Sequence, residues 1–83
     1  MNFEGHDLYT INNNWVFDMT TFTCYRTYRD KKGNLTKVIK AIDVEINKDD
    51  ETRFIRYVDR VPLGVMRKIT KLIDSYMRDT FIK

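Results

Sequence analysis

The chain has little of what staples, kinks or loosens a small fold. Its 83 residues include one cysteine, one proline, one alanine, one histidine and three glycines. The single cysteine, Cys24, excludes an intramolecular disulfide and makes an oxidising compartment unnecessary for folding, so a cytoplasmic setting is the simple expectation. No stretch approaches the roughly 18 apolar residues of a membrane span. Residues Met1 to Trp15 carry acids and asparagines where a secretory signal would need a basic start and an apolar run, which predicts neither export nor a membrane partner.

Catalytic strings are missing as well. There is no GxSxG, phosphate-binding Walker loop, CxxC or HExxH, and the glycines are scattered. His6 and Cys24, with Asp7 as orienter, could arithmetically form a nucleophile pair, but no spacing supports it. Cys24 lies beside Phe22 in an apolar setting where a buried inert thiol is the default. The series Asp43, Glu45, Asn47, Asp49, Asp50 and Glu51 imitates an EF-hand loop, yet Lys48 stands where Gly is needed and Phe54 where the bidentate acid belongs. The sequence therefore predicts no enzyme, no cofactor and no metal.

What is present suffices for a core. Hydrophobic residues make up 42% of the chain, with five Phe, five Tyr and one Trp, and the 33% charged fraction fits a folded domain rather than a disordered one. A chain of this length forms one domain, residues 1–83, with a small core and a thin stability margin. Eight Ile, eight Lys and six Asn beside the single Ala give the bias of AT-rich coding, a flavour frequent in small proteins of phages and mobile elements of low-GC bacteria.

Charge is sorted into four alternating blocks. Residues 1–20 sum to −3, 21–40 to +5, 41–52 to −4 and 53–83 to +5, so the net +3 conceals a patterned surface. Such a pattern suits a charged partner.

Periodicity and turn residues predict an α+β fold: an antiparallel β-meander of three to four strands followed by one C-terminal amphipathic helix. Residues 1–14 form an N-terminal arm or short strand, with Asp7 to Ile11 β-prone and Asn12, Asn13 and Asn14 suited to a tight turn. The meander spans 15–61. Trp15, Phe17 and Met19 share one parity while Phe22 and Cys24 take the other, which predicts a bulge or bend around Asp18 to Thr21. Asp30 to Asn34 is a good hairpin turn. The strand Leu35 to Ile46 places Val38, Ile42, Val44 and Ile46 on one parity; a helical reading of the same stretch is outweighed by its β-branched content. Asn47 to Glu51 is the next turn and Thr52 to Val61 a further strand. Beyond Pro62, the apolar stripe Met66, Ile69, Leu72, Ile73, Tyr76 and Met77 predicts a helix over 63–80. Central strands that read as apolar on both faces, with one helix to cover them, imply that the sheet curls on itself or that its second face meets another molecule, a second copy making a homodimer.

The segment Tyr25, Arg26, Thr27, Tyr28, Arg29, Asp30, Lys31, Lys32 interleaves rings with bases on a hairpin, as nucleic-acid binding requires: cations hold phosphates while rings meet bases. An equally ordinary role is to solvate a hairpin tip and blunt an edge. Arg53, Arg56 and Arg60 would join the same patch if their strand neighbours the hairpin. Arg67, Lys71 and Arg78 form a basic helix ridge, laced by an Asp74–Arg78 pair, that ordinary solvation explains. Asp49, Asp50 and Glu51 form an acidic turn that could dock on a basic protein surface.

In element order the chain resembles two nucleic-acid-binding groups, over Thr21 to Lys83. The segment Tyr25 to Lys37 is similar in flavour to the hairpin of the arm-binding domain of tyrosine integrases, whose three-stranded sheet enters a groove. The ββββα order is similar to the single-strand-binding fold of the positive-cofactor-four and Whirly kind, which dimerises through the helix. Neither resemblance carries over a functional residue. The expected function is that of a small non-enzymatic binding protein, an inhibitor or modulator of phage or mobile-element type that docks on a host protein or nucleoprotein complex through charged surfaces. The alternative is a DNA- or RNA-binding protein that uses the basic aromatic hairpin and adjacent basic strand.

Overall fold

The computed structural model describes residues 3–81; the first two residues of the expected N-terminal arm, and the last two of the chain, lie outside the described residues. Five antiparallel strands, β1 (Leu8–Asn12), β2 (Trp15–Asp18), β3 (Thr23–Arg29), β4 (Leu35–Asn47) and β5 (Thr52–Tyr57), form one sheet in chain order, and a single helix, α1 (Leu63–Phe81), follows. The α+β class and the closing helix match the sequence reading. The strand count is five rather than three to four, and the cause is local.

Between Phe17 and Cys24 the chain reverses completely. The Asp18 carboxylate accepts hydrogen bonds from the Thr20 amide at 2.9 Å and the Thr21 amide at 3.3 Å, and Phe22 takes the left-handed conformation with φ 55°. This closes a turn and sets Phe17 directly opposite Cys24, so both point to the same side of the sheet. The parity change that predicted a bulge or bend around Asp18 to Thr21 is produced by this turn, which divides the segment into two strands. A bulge lies further on, in β4. Cys24 pairs with Ile42 but Tyr25 pairs with Lys40, leaving Ala41 as an extra residue in β4. Ile42, Val44 and Ile46 therefore share a face, while Val38 is carried to the opposite one and Ile39 takes its place.

The core sits between one face of the sheet and the helix. Ile11, Trp15, Phe17, Cys24, Ile42 and Val44 supply the sheet side. Val65, Ile69 and Ile73, spaced four apart, supply the helix side, with Met66, Leu72 and Met77 partly buried beside them. Tyr76 meets Phe22 edge to face, with ring centres 4.8 Å apart. At the helix start the Pro62 carbonyl accepts the Met66 amide at 3.0 Å, consistent with proline just ahead of the first turn. Among the described residues no helix is long and apolar enough to cross a membrane.

The opposite face is largely polar. Asp18, Thr23, Asp43 and Arg56 lie in one cross-strand row there, with Lys40 and Glu45 on neighbouring rows, because the Ala41 bulge changes which residues of β4 point inward. The premise that both faces are apolar is therefore corrected. Part of this face is covered by the chain itself: the Phe3 ring packs edge to face on Tyr25 at 5.4 Å, and His6 Nδ1 lies 2.6 Å from Oδ2 of the fully buried Asp18.

Candidate functional site

The β3–β4 hairpin outruns its neighbours on both sides. β2 begins at Trp15, opposite Arg26, and the chain then turns away at Asn13 and Asn14, whose carbonyls receive the Thr27 hydroxyl and amide. On the other side β5 stops at Tyr57, opposite Ile42. Residues 28–37 thus form a two-stranded arm without flanking strands, protruding by roughly 10 Å at the usual strand rise. The described residues extend 45 Å along the longest axis against 27 and 17 Å across it.

The arm is shaped by its tip. Asp30 Oδ1 accepts the amides of Lys32 and Asn34, both at 2.9 Å, and Gly33 supplies a φ of 86° that other residues seldom adopt. The amide of Asn34, followed by that of Lys32, holds the Asp30 carboxyl below its ordinary range. The single acid of the arm is therefore spent on the turn, and Arg29, Lys31, Lys32 and Lys37 are all exposed and outside any ion pair among the described residues. Arg29 donates to the Gly33 carbonyl at 3.0 Å.

Aromatic rings brace the arm at its root. Arg26 sits opposite Trp15, and its guanidinium carbon lies 5.7 Å from the Trp15 ring centre and 4.9 Å from that of Tyr28. Lys37, opposite Tyr28, places its ammonium 5.8 Å from the same ring. Lys37 and Lys40 were not among the site residues read from the sequence, although pairing outward from a turn at Asp30 to Asn34 would have set Lys37 beside Tyr28.

The remaining sequence-derived site residues are dispersed. Tyr25 points to the polar face, half-buried under Phe3. β5 borders β4 along its far half, so Arg53 and Arg56 do not merge with the hairpin. Arg53 is ion-paired with Asp74 of the helix, which takes the place of the expected Asp74–Arg78 pair, and Arg56 donates to Asp43 at 3.3 Å. Lys40, at 2.9 Å, and then Arg56 hold the Asp43 carboxyl below its usual range. Arg60 follows Val58 and Asp59, whose amides both donate to the Ala41 carbonyl, and its own amide donates to the Asp59 carboxylate at 2.7 Å.

The acidic turn lies at the other end of the 13-residue β4, roughly 40 Å from the basic tip at the usual strand rise. Asn47 Oδ1 accepts the amides of Asp49 and Asp50, and Asn47 Nδ2 donates to Asp50 at 3.2 Å, so this segment is closed as a turn. Among the described residues no three His, Cys, Asp or Glu side chains gather where they could hold a metal ion. Cys24 is buried on the helix side of the sheet, its thiol pushed up to about 12 by burial, whereas His6 lies on the opposite side with Asp18. No protein-family model, curated protein or solved structure matches the chain.

Proposed function

We propose that this is a nucleic-acid-binding protein whose β3–β4 arm enters a groove of duplex DNA or RNA. The observation that carries the reading is the arm itself: four exposed cations, Arg29, Lys31, Lys32 and Lys37, without acid partners among the described residues, on a ribbon that stands clear of the sheet. A two-stranded ribbon fits the roughly 12 Å major groove of B-DNA, and phosphates flank it on either side. Arg26 and Lys37 pack over the Tyr28 ring and brace the ribbon at its root. Arg53, Arg56 and Tyr25, engaged within the fold, have no part in this surface.

Docking on a host protein, the first expectation from the sequence, rests on the alternating acidic and basic blocks as charged surfaces; of these the basic arm projects from the sheet, whereas Asp49, Asp50 and Glu51 are exposed on a tight turn at the far end of β4. A nucleoprotein partner remains compatible with the arm, which would engage its nucleic-acid component. The proposed role is binding, with no catalytic step. Fluorescence anisotropy with labelled duplex DNA, duplex RNA and single-stranded DNA tests it. Binding to a duplex that exceeds binding to single strands supports the groove reading, and no binding at low salt overturns it.

A further inference from the structure

The sheet has two edges, β1 and β5, and they are protected unequally. At β1 the pairing is irregular between Thr10 and Asn12, and Lys68 of the helix donates to the Ile11 carbonyl at 3.3 Å, so this edge is bent and capped. β5 pairs with β4 in unbroken register from Thr52 to Tyr57, with no proline, lysine or bulge. Its two charges, which would ordinarily discourage another strand, are neutralised within the chain by Asp74 and Asp43. Phe54, Tyr57 and Val58 on this edge are 63%, 59% and 58% exposed.

We infer that β5 is a dimer interface, pairing antiparallel with β5 of a second copy across a two-fold axis at Ile55 to give a continuous ten-stranded sheet. An axis perpendicular to the sheet keeps both helices on one side and opposes only residues of like parity. Four registers then oppose at least three residues of the strand to the partner. Centring on Arg53 or on Arg56 sets like charges against each other, and centring on Phe54 opposes Phe54 to itself but leaves Arg53 against Ile55 and Arg56 against Thr52. Centring on Ile55 opposes Phe54 to the partner's Arg56 and Arg53 to the partner's Tyr57, and symmetry repeats both pairs. Each is a cation facing an aromatic ring, the Phe54–Arg56 pairs on the polar face and the Arg53–Tyr57 pairs on the helix face, a favourable cross-strand combination. The sequence of β5 is thus self-complementary in one register, and that register covers its exposed rings.

The inference does not depend on nucleic-acid binding, and its test is made in the absence of nucleic acid. Multi-angle light scattering of the full chain gives twice the chain mass, and Phe54→Lys, which sets a second cation against the partner's Arg56 at two symmetric places, weakens association by about tenfold. Register is read by mixing Phe54→Cys and Arg56→Cys proteins under mild oxidation. The mixture forms a covalent dimer far in excess of either protein alone, since the two positions face each other only across the interface; native Cys24 is buried. A monomer at the highest soluble concentration overturns the inference. So does a dimer in which the mixed pair crosslinks no better than the separate proteins.

Discussion

Tyr28 and Lys37 face each other across the β3–β4 arm, with the ammonium 5.8 Å from the ring centre, and Arg26 approaches the same ring at 4.9 Å. One exposed ring therefore sits between two cations at the root of a hairpin that has no neighbouring strands. Tyr28→Ala removes both contacts. Exposed cation–ring pairs are worth about 0.5–1 kcal/mol each, so thermal melts should show a loss of about 1 kcal/mol or somewhat more, and duplex affinity, which feels only the loosened arm, should fall by less than about fivefold in anisotropy titrations. Tyr28→Phe retains the ring and binds as the parent does.

How much of this was legible in the sequence depends on the range of the signal. The helix was readable because Ile69 and Ile73 repeat the 3.6-residue period within one element, and the hairpin tip because Asp30 and Gly33 encode the turn locally. The β2–β3 turn was legible only as a change of parity around Asp18 to Thr21, since its closing group is the side chain of Asp18, a residue that reads as part of a strand. The Ala41 bulge was not legible, because it exists only relative to β3, and it moves Val38 off the core face. The site followed the same division. The basic hairpin was visible as composition, but whether Arg53 and Arg56 joined it depended on Asp74 and Asp43, which approach from other parts of the fold.

Those two arginines give a negative control. Arg53→Ala and Arg56→Ala, measured on a duplex short enough to hold one arm, leave affinity within about twofold of the parent because neither side chain borders the arm. Their effect on stability is small as well, about 0.2–1 kcal/mol for exposed pairs, as thermal melts would show.

Asp18 ties acid stability to the N-terminal segment. Burial by itself would raise its carboxyl, but the hydrogen bonds from His6 and from the Thr20 and Thr21 amides outweigh burial and leave it below its ordinary value. A carboxyl held low in the folded state stabilises the fold fully above its unfolded value of about 3.9, and that contribution is lost as pH falls toward and through the lower folded value. Urea titrations between pH 7 and pH 2 should show the parent losing stability over this window. Asp18→Asn should be about 1–3 kcal/mol less stable at neutral pH and show a shallower acid decline.

Cys24 reports on the core. With its thiol at about 12 and no exposure in the folded chain, it should not react with a disulfide reagent at pH 8 under native conditions, and should react fully once urea unfolds the chain. Ile69→Ala, which opens a void between helix and sheet, should lower stability by about 2–5 kcal/mol and bring that reaction to a lower urea concentration.

The most direct measurement is the salt dependence of duplex binding by the parent and by the Lys31→Ala, Lys32→Ala double variant. Four phosphate contacts from Arg29, Lys31, Lys32 and Lys37 predict a slope of about −3 to −4 for log affinity against log salt, and loss of two contacts reduces it to about −2. Absence of duplex binding at low salt, or a slope that the double substitution leaves unchanged, would contradict the assignment of the arm as the nucleic-acid-binding element.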